Sequence, residues 1–246
     1  MPNQINDQTQ PRSWPQGQPR RLAVLISGRG SNLQALYQSA QAYGLALDWL
    51  VVANQKESQG LRWAKDQGLE TALLLHTDFA SREGFDRQLA GLLQQFEPHL
   101  VVLAGFMRIL TDVFFDNFQG PIINIHPSLL PAYPGLKTHA RALQDGVAVH
   151  GATVHSVTPQ IDHGPILAQS VVGVSHQDDD ERLGARVLEM EHKLLPMVTW
   201  ALLRDDLQLK DGRWSLRRPQ SDLPQGLQFS PCLFHPQLVA SPRSIQ

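Results

Sequence analysis

Two polar side chains, Asn124 and His126, stand two residues apart at the end of an apolar run. Residues at positions i and i+2 of a strand point to one face of a sheet, so both side chains would face the same cleft. The proline-rich stretch 127–134 excludes a helix directly after them and predicts a rigid loop. An amide N–H beside a protonated imidazole can stabilise the oxyanion that forms when a nucleophile attacks a carbonyl. A turn cap and a buried structural histidine are the alternative interpretation of this pair.

A carboxylate that can act on the imidazole is Asp162, in the turn-rich loop after a predicted strand at 149–157. We expect a parallel neighbouring strand to bring Asp162 beside His126. A carboxylate within about 4–6 Å of an imidazole favours the charged ring and fixes its orientation. Ser128 and Cys232 have no evident activating partner, so an external nucleophile is predicted rather than a covalent intermediate.

A small-residue turn at 27–32 joins a predicted strand at 22–26 to a predicted helix. Its glycines would let backbone N–H groups approach an anion at the helix N-terminus, and Ser31 or Asn32 would cap the helix while donating to a phosphate oxygen. Leu33 stands where the dinucleotide fingerprint has its third glycine, and the GK[ST] of a P-loop is absent. The turn therefore predicts a site for one phosphate group, with a well-capped βα turn as the alternative.

Apolar runs at 22–26, 47–53, 71–75 and 100–104 predict strands, and the amphipathic segments between them predict helices. This alternation favours an α/β fold with a doubly wound, mostly parallel sheet, in which 100–104 is the central strand. Strands at 149–157 and 166–174 would pair antiparallel, because only a short loop joins them. A long helix at 179–203 and a hairpin turning at Asp211-Gly212 complete the pattern.

The composition excludes several classes of protein. The chain has 246 residues, a formal net charge of −2 and no basic block, which argues against bulk attraction to nucleic acid. No apolar run approaches the roughly 20 residues that cross a bilayer. The single cysteine excludes an intrachain disulfide and favours a reducing, cytoplasmic location, and no histidine spacing indicates a metal site. We expect a disordered extension at 1–20, one domain at 21–217 and an irregular, proline-rich tail at 218–246.

Five motifs occur together in the order and spacing of one known family. They are SGRGSNLQAL (27–36), LAGFMRIL (103–110), NIHPSLLPAYPGLKTHARAL (124–143), HGATVHSVTPQIDHGPIL (150–167) and the late pair Glu191-His192. In these motifs the chain resembles the phosphoribosylglycinamide formyltransferases of purine synthesis, from about Arg21 to about Trp214. The resemblance implies a Rossmann-like formyltransferase fold with an antiparallel C-terminal part. It also implies transfer of a formyl group from 10-formyltetrahydrofolate to the amine of glycinamide ribonucleotide.

The resemblance carries over to individual positions. The implied catalytic set is Asn124, His126 and Asp162; the implied ribonucleotide site is Gly30, Ser31, Asn32 and Glu191; the implied folate site is Arg82, Met107, Arg108, Ile109, Leu110 and Asn124. His126 would be the general acid, and Asp162 would favour its protonated form. The folate is then a co-substrate, with no tightly bound cofactor, and the chain would be a monomer or a weak homodimer.

The sequence departs from the family at His163, because glycine commonly follows the aspartate there. Two alternatives of function remain open. Formyltetrahydrofolate deformylase, a hydrolase, shares the Asn, His and Asp set, but we expect it to carry a regulatory domain before this core. A non-catalytic nucleotide-binding module would not need the proton chemistry of the three polar residues. Methionyl-tRNA formyltransferase is disfavoured, because the residues after 217 are too few for a further RNA-binding domain.

Overall fold

The computed structural model of the protein describes residues 19–217 and the pair 233–234. The extension predicted at 1–20 lies outside these residues except for its last two positions. Of the predicted tail, the structure describes Leu233–Phe234, which pair antiparallel with residues 169–170.

Nine strands belong to residues 19–217 and the tenth is the Leu233–Phe234 pair. They are β1 (Arg20–Ile26), β2 (Leu47–Ala53), β3 (Glu70–Leu73), β4 (Leu100–Leu103), β5 (Ile122–His126), β6 (Val149–Ser156), β7 (Ile166–Gly173), β8 (Leu207–Lys210), β9 (Arg213–Leu216) and β10 (Leu233–Phe234). The main sheet has the order β10-β7-β6-β5-β4-β1-β2-β3, with β3, β2, β1, β4 and β5 mutually parallel. The predicted fold class is confirmed, and β4 lies near the middle of the sheet as its apolar sequence indicated.

Helices cover both faces of this sheet. They are α1 (Ser31–Ala42), α2 (Gln59–Asp66), α3 (Arg82–Phe96), α4 (Asp112–Asn117), α5 (Thr138–Gln144) and α6 (Asp180–Leu203). The buried side chains form two apolar clusters, one centred on α1 and α6 and the other on α3. The short helix α4 was not predicted, because one and a half turns give no clear period. No helix within residues 19–217 is both long and apolar enough to cross a bilayer.

Side-chain caps begin the two long helices where the sequence placed them. Ser81 Oγ accepts the Gly84 N–H at the start of α3, and Asp179 accepts the Arg182 N–H at the start of α6. Each cap satisfies a first-turn N–H that has no partner within its helix.

The direction of β6 corrects one expectation. β6 runs antiparallel to β5, so the strand that leads to Asp162 is not the parallel neighbour that we expected. The 22 residues that join the two strands hold only the seven-residue helix α5, and this helix does not carry the chain across the sheet face as a parallel connection requires. The predicted antiparallel pairing of β6 with β7 is observed, with an irregular register at Val154/His155.

The C-terminal hairpin of β8 and β9 turns where it was predicted. Asp211 and Gly212 both have positive φ, 50° and 73°, as a two-residue type I′ turn requires. Trp214 from this hairpin is 2% exposed, and its indole N–H donates to Ser156 Oγ at 3.0 Å. The hairpin is thereby fixed to the end of β6.

Candidate active site

Asn124, His126 and Asp162 lie at one place in the structure. Asp162 Oδ2 is 3.5 Å from His126 Nδ1, and the two side chains are 11% and 7% exposed. Asn124 is the only residue of β5 that is not buried. The predicted convergence of the three polar groups is therefore observed, although the loop after an antiparallel strand delivers the aspartate.

His155 is a member of this group that sequence reasoning did not assign. It lies directly across from Asn124 in the β5–β6 pairing. Its Nδ1 donates to the Ser156 carbonyl at 2.9 Å, so its Nε2 is free to accept the Asn124 amide N–H at 3.2 Å. Burial lowers the pKa of His155, against smaller opposing effects of the Ser156 carbonyl and of Asp162. A neutral His155 orients the Asn124 amide and leaves its second N–H for a ligand.

The loop after β5 contacts both His126 and Asp162 through its backbone. His126 Nε2 lies 2.9 Å from the Tyr133 carbonyl, and the Gly135 N–H donates to Asp162 Oδ2 at 2.8 Å. The two ring nitrogens of His126 thus each face an oxygen atom, the Asp162 carboxylate at Nδ1 and the Tyr133 carbonyl at Nε2. Arg141 holds this loop in place by donating to the Pro134 carbonyl at 2.6 Å.

The loop that carries Asp162 has a fixed backbone. Asp162 has a φ of 53°, in the left-handed region, which aspartate tolerates better than most residues. A Cβ atom at Gly164 would lie 1.7 Å from the Ser156 carbonyl oxygen, so only glycine fits where the loop passes the end of β6. His163, the departure from the family pattern, is exposed, and its Nδ1 contacts the Ile161 carbonyl at 2.5 Å.

The predicted phosphate turn begins α1 in an unexpected way. Gly30, not Ser31 or Asn32, is the N-cap residue, with a φ of 75° and no side-chain cap. The expectation that Ser31 or Asn32 caps the helix is wrong, because the left-handed Gly30 already occupies the cap position. The first-turn N–H groups of α1 are left without a side-chain acceptor, which suits them to an anion. Gly30 itself is buried against backbone, whereas Ser31 is half-buried and Gly28 is exposed.

Asn32 instead joins Glu191 of α6. Its Nδ2 donates to Glu191 Oε2 at 2.7 Å, and both residues are 7% exposed. Burial raises the pKa of Glu191, and the hydrogen bond from Asn32 offsets part of this shift. Two of the residues predicted for the ribonucleotide are therefore brought into contact, at the N-terminus of α1.

The segment 107–110 forms an apolar wall after β4. Met107 is 68% exposed and Ile109 49% exposed, whereas Leu110 is buried at 6%. The Met107 N–H donates to Ser27 Oγ at 2.8 Å, and Ser27 Oγ donates to Asn54 Oδ1 at 2.7 Å. Ser27, which the sequence did not single out, thus ties this wall to the strand end that precedes the phosphate turn.

Two predicted arginines have different positions. The Arg108 guanidinium lies over the Phe85 ring, 4.5 Å from its centroid, which holds the wall against α3. Arg82 is the exposed first residue of α3 and follows β3, four places from β5 in the sheet. Arg82 lies within one helical turn of Phe85, the residue that Arg108 contacts, so it starts the helix that packs against this wall. Residues 19–217 hold no cluster of three or more metal-ligating side chains.

Comparisons with known proteins identify one enzyme family. A family model for formyl transferases matches residues 20–199. A phosphoribosylglycinamide formyltransferase from Escherichia coli K12 is 43% identical over 178 residues, which is 72% of this chain and 84% of that protein. The enzyme of the same name from Haemophilus influenzae is 38% identical over 78% of this chain and 92% of its own. The crystal structure of glycinamide ribonucleotide transformylase 1 from Symbiobacterium toebii has a TM-score of 0.77 and 37% identity, covering 82% of this chain and 95% of that one.

Proposed function

This chain belongs to the formyl transferase family, and we propose that it transfers the formyl group of 10-formyltetrahydrofolate to the amine of 5′-phosphoribosylglycinamide. The reaction is a step of de novo purine biosynthesis and makes the chain a one-carbon transferase. The proposal rests on one observation: Asn124, His126 and Asp162 lie together in a fold whose parallel strands also carry the predicted phosphate turn. The relatives from Escherichia coli and Haemophilus influenzae are named for this activity, and the match covers 84% and 92% of their lengths.

The two substrates would occupy opposite parts of the site. The uncapped start of α1 would bind the phosphate through Gly30, Ser31 and Asn32, and Glu191 would accept a ribose hydroxyl. The exposed apolar surface of Met107 and Ile109 would cover the flat ring of the folate, as pocket walls do. Arg108 and Leu110 of the same segment, together with Arg82 on α3, would complete the folate site. Asn124 stands between the two parts and would touch both substrates.

In the reaction we propose, the glycyl amine attacks the formyl carbon on N10 of the folate. The carbonyl oxygen becomes an oxyanion, which the second N–H of Asn124 and the Nδ1–H of His126 stabilise. The amine then loses a proton and N10 gains one, directly or through water at Asp162. The C–N10 bond breaks as the carbonyl re-forms, giving the formylated ribonucleotide and tetrahydrofolate. No bond to the protein forms at any step.

In this proposal the Asp162 carboxylate supports His126 without taking its Nδ1–H away from the substrate. Its distance of 3.5 Å from Nδ1 is too long for a strong hydrogen bond, so the Nδ1–H stays available to an oxyanion beside it while the carboxylate stabilises the ring charge. The Tyr133 carbonyl at Nε2 prevents the ring from flipping away. The site is arranged before substrate binds, which is the condition for efficient electrostatic catalysis.

The direct test follows 10-formyltetrahydrofolate by absorbance, with and without the ribonucleotide. Consumption that depends on the ribonucleotide, with one formylated product per folate released, supports the transferase. Equal consumption without ribonucleotide identifies a deformylase instead, and no consumption with either identifies a binding module. Analytical ultracentrifugation of the same sample tests the further proposal that the chain is a monomer or a weak homodimer.

A further inference from the structure

A glycine of α2 packs directly against the phosphate turn. The N–H of Gly60 donates to the Gly28 carbonyl at 3.0 Å, and Ser58 Oγ donates to the same oxygen at 3.1 Å. A peptide group is planar and trans, so its N–H points opposite to its C=O. Fixing the Gly28 carbonyl toward α2 therefore fixes the Arg29 N–H in the opposite direction, away from α2.

The contact between α2 and the turn leaves no room for a side chain. A Cβ atom at Gly60 would lie 2.9 Å from the Gly30 Cα and 2.7 Å from Ile26 Cδ1. A Cβ atom at Gly30 would lie 2.7 Å from the Gly60 Cα. The two backbones thus touch at a pair of glycines, one in the turn and one in the helix.

The backbone conformation of Gly60 does not require glycine. It lies in the first turn of α2 and has no positive φ, unlike Gly30. Alanine at a helical position is ordinarily more stable than glycine, so the glycine at position 60 is explained by the contact and not by its own conformation.

We propose that Gly60 is a positioning residue for the ribonucleotide phosphate: its missing side chain lets α2 hold the turn at 28–30 in the conformation that presents its N–H groups. This inference rests on the proposed function, and it assigns a role to a residue that does not itself touch substrate. Restoring an ordinary 3.4 Å contact between a Gly60→Ala methyl group and the Gly30 Cα requires a movement of about 0.5 Å. A misplacement of about 1 Å in an active site can cost about 100-fold in rate, so a movement of half that size is expected to have a smaller but measurable effect.

The test compares Gly60→Ala with wild type in the full chain, with each substrate varied in turn. We expect the KM for the ribonucleotide to rise about tenfold or more, whereas kcat and the KM for the folate stay within about twofold. Calorimetric titration of the ribonucleotide alone should show the same loss of affinity. Gly91→Ala is the matched control, because Gly91 is an exposed helical glycine with no atom within 4 Å of its added methyl group; it should raise the Tm slightly and leave all kinetic constants unchanged.

Two further variants separate a displaced turn from general damage to the fold. Ile26→Val with Gly60→Ala removes the Cδ1 clash, so it should recover Tm but retain the raised ribonucleotide KM. Ser58→Ala removes one of the two hydrogen bonds to Gly28 together with the cap of α2 on the Leu61 N–H. It should therefore lower the Tm and raise the ribonucleotide KM less than Gly60→Ala does, and it decides the question if neither alanine variant at 60 folds. An unchanged ribonucleotide KM in the folded variants, or an equal change in all constants, would overturn the proposal. The assay of the wild-type chain tests the proposed function by itself. The ratio of the variant's ribonucleotide KM to the wild-type value tests the role of Gly60.

Discussion

Replacing Asp162 with asparagine removes one negative charge and keeps the shape of the side chain. Asp162 Oδ2 lies 3.5 Å from His126 Nδ1, and a full charge pair at this distance is worth at most about 5 kcal/mol at an effective dielectric constant of about 20. The variant loses most of that attraction and the carboxylate that handles the proton. We expect kcat to fall about 1000-fold, at the upper end of the loss typical for one oxyanion donor.

The assay is steady-state release of tetrahydrofolate with both substrates saturating, supported by thermal unfolding. The amide oxygen of Asp162→Asn can still accept the Gly135 N–H, so the loop should keep its conformation and the variant should fold, with a lower Tm because the charge pair is lost. Asp116→Asn, an exposed residue of α4, is the matched control for the change of charge and should have wild-type kinetics.

A kcat within tenfold of wild type for Asp162→Asn would refute the mechanism, because the charge beside His126 would then be dispensable. A large fall in kcat accompanied by a similar fall for Asp116→Asn would also refute it, since net charge and not position would be responsible.

Three other predictions concern the hydrogen bonds of Ser27, the burial of His150 and the burial of Glu191. Ser27→Ala removes the acceptor of the Met107 N–H, so the folate KM should rise about threefold to tenfold and stability should fall by about 1–3 kcal/mol, measured by kinetics and urea unfolding. Burial is the largest cause that lowers the pKa of His150 from 6.5 to about 4. The folded state then binds fewer protons than the unfolded state, so this contribution to stability is complete above pH 6.5 and is lost as the pH falls toward 4. His150→Gln should flatten this dependence of Tm on pH. Burial raises the pKa of Glu191, so its charge destabilises the fold at pH 7–8. The amide oxygen of Glu191→Gln can still accept the Asn32 side-chain N–H, so this variant should raise the Tm. It should also weaken ribonucleotide binding by about tenfold, measured by calorimetry.

The parts of the fold that follow from local pattern were predictable from sequence. The apolar face of α3, with Phe85, Leu89 and Leu93 buried, recurs at helical spacing, and the wholly apolar β4 indicates burial on both faces. The hairpin turn at Asp211-Gly212 was predictable because few other pairs adopt two successive positive φ angles.

Three contacts or directions that depend on distant partners were not predictable. Asn32 resembles a helix cap in sequence, and its contact with Glu191 depends on how α1 packs on α6. The sequence pattern indicates on which face of β6 His155 lies, but not which residue it contacts. Its hydrogen bond to Asn124 forms because β6 runs antiparallel to β5. The direction of β6 itself depends on whether the preceding connection crosses the sheet, and a seven-residue helix leaves that open.

The hydrogen bond between Asn32 and Glu191 joins residues 159 positions apart. A chain emerging from the ribosome has its glycine-rich turn long before α6 is made, and without Glu191 the ribose side of that turn is missing. If Glu191 binds the ribose as proposed, a nascent or truncated chain that ends before residue 191 would bind the nucleotide poorly, and the site would form only when nearly all of the domain has been synthesised.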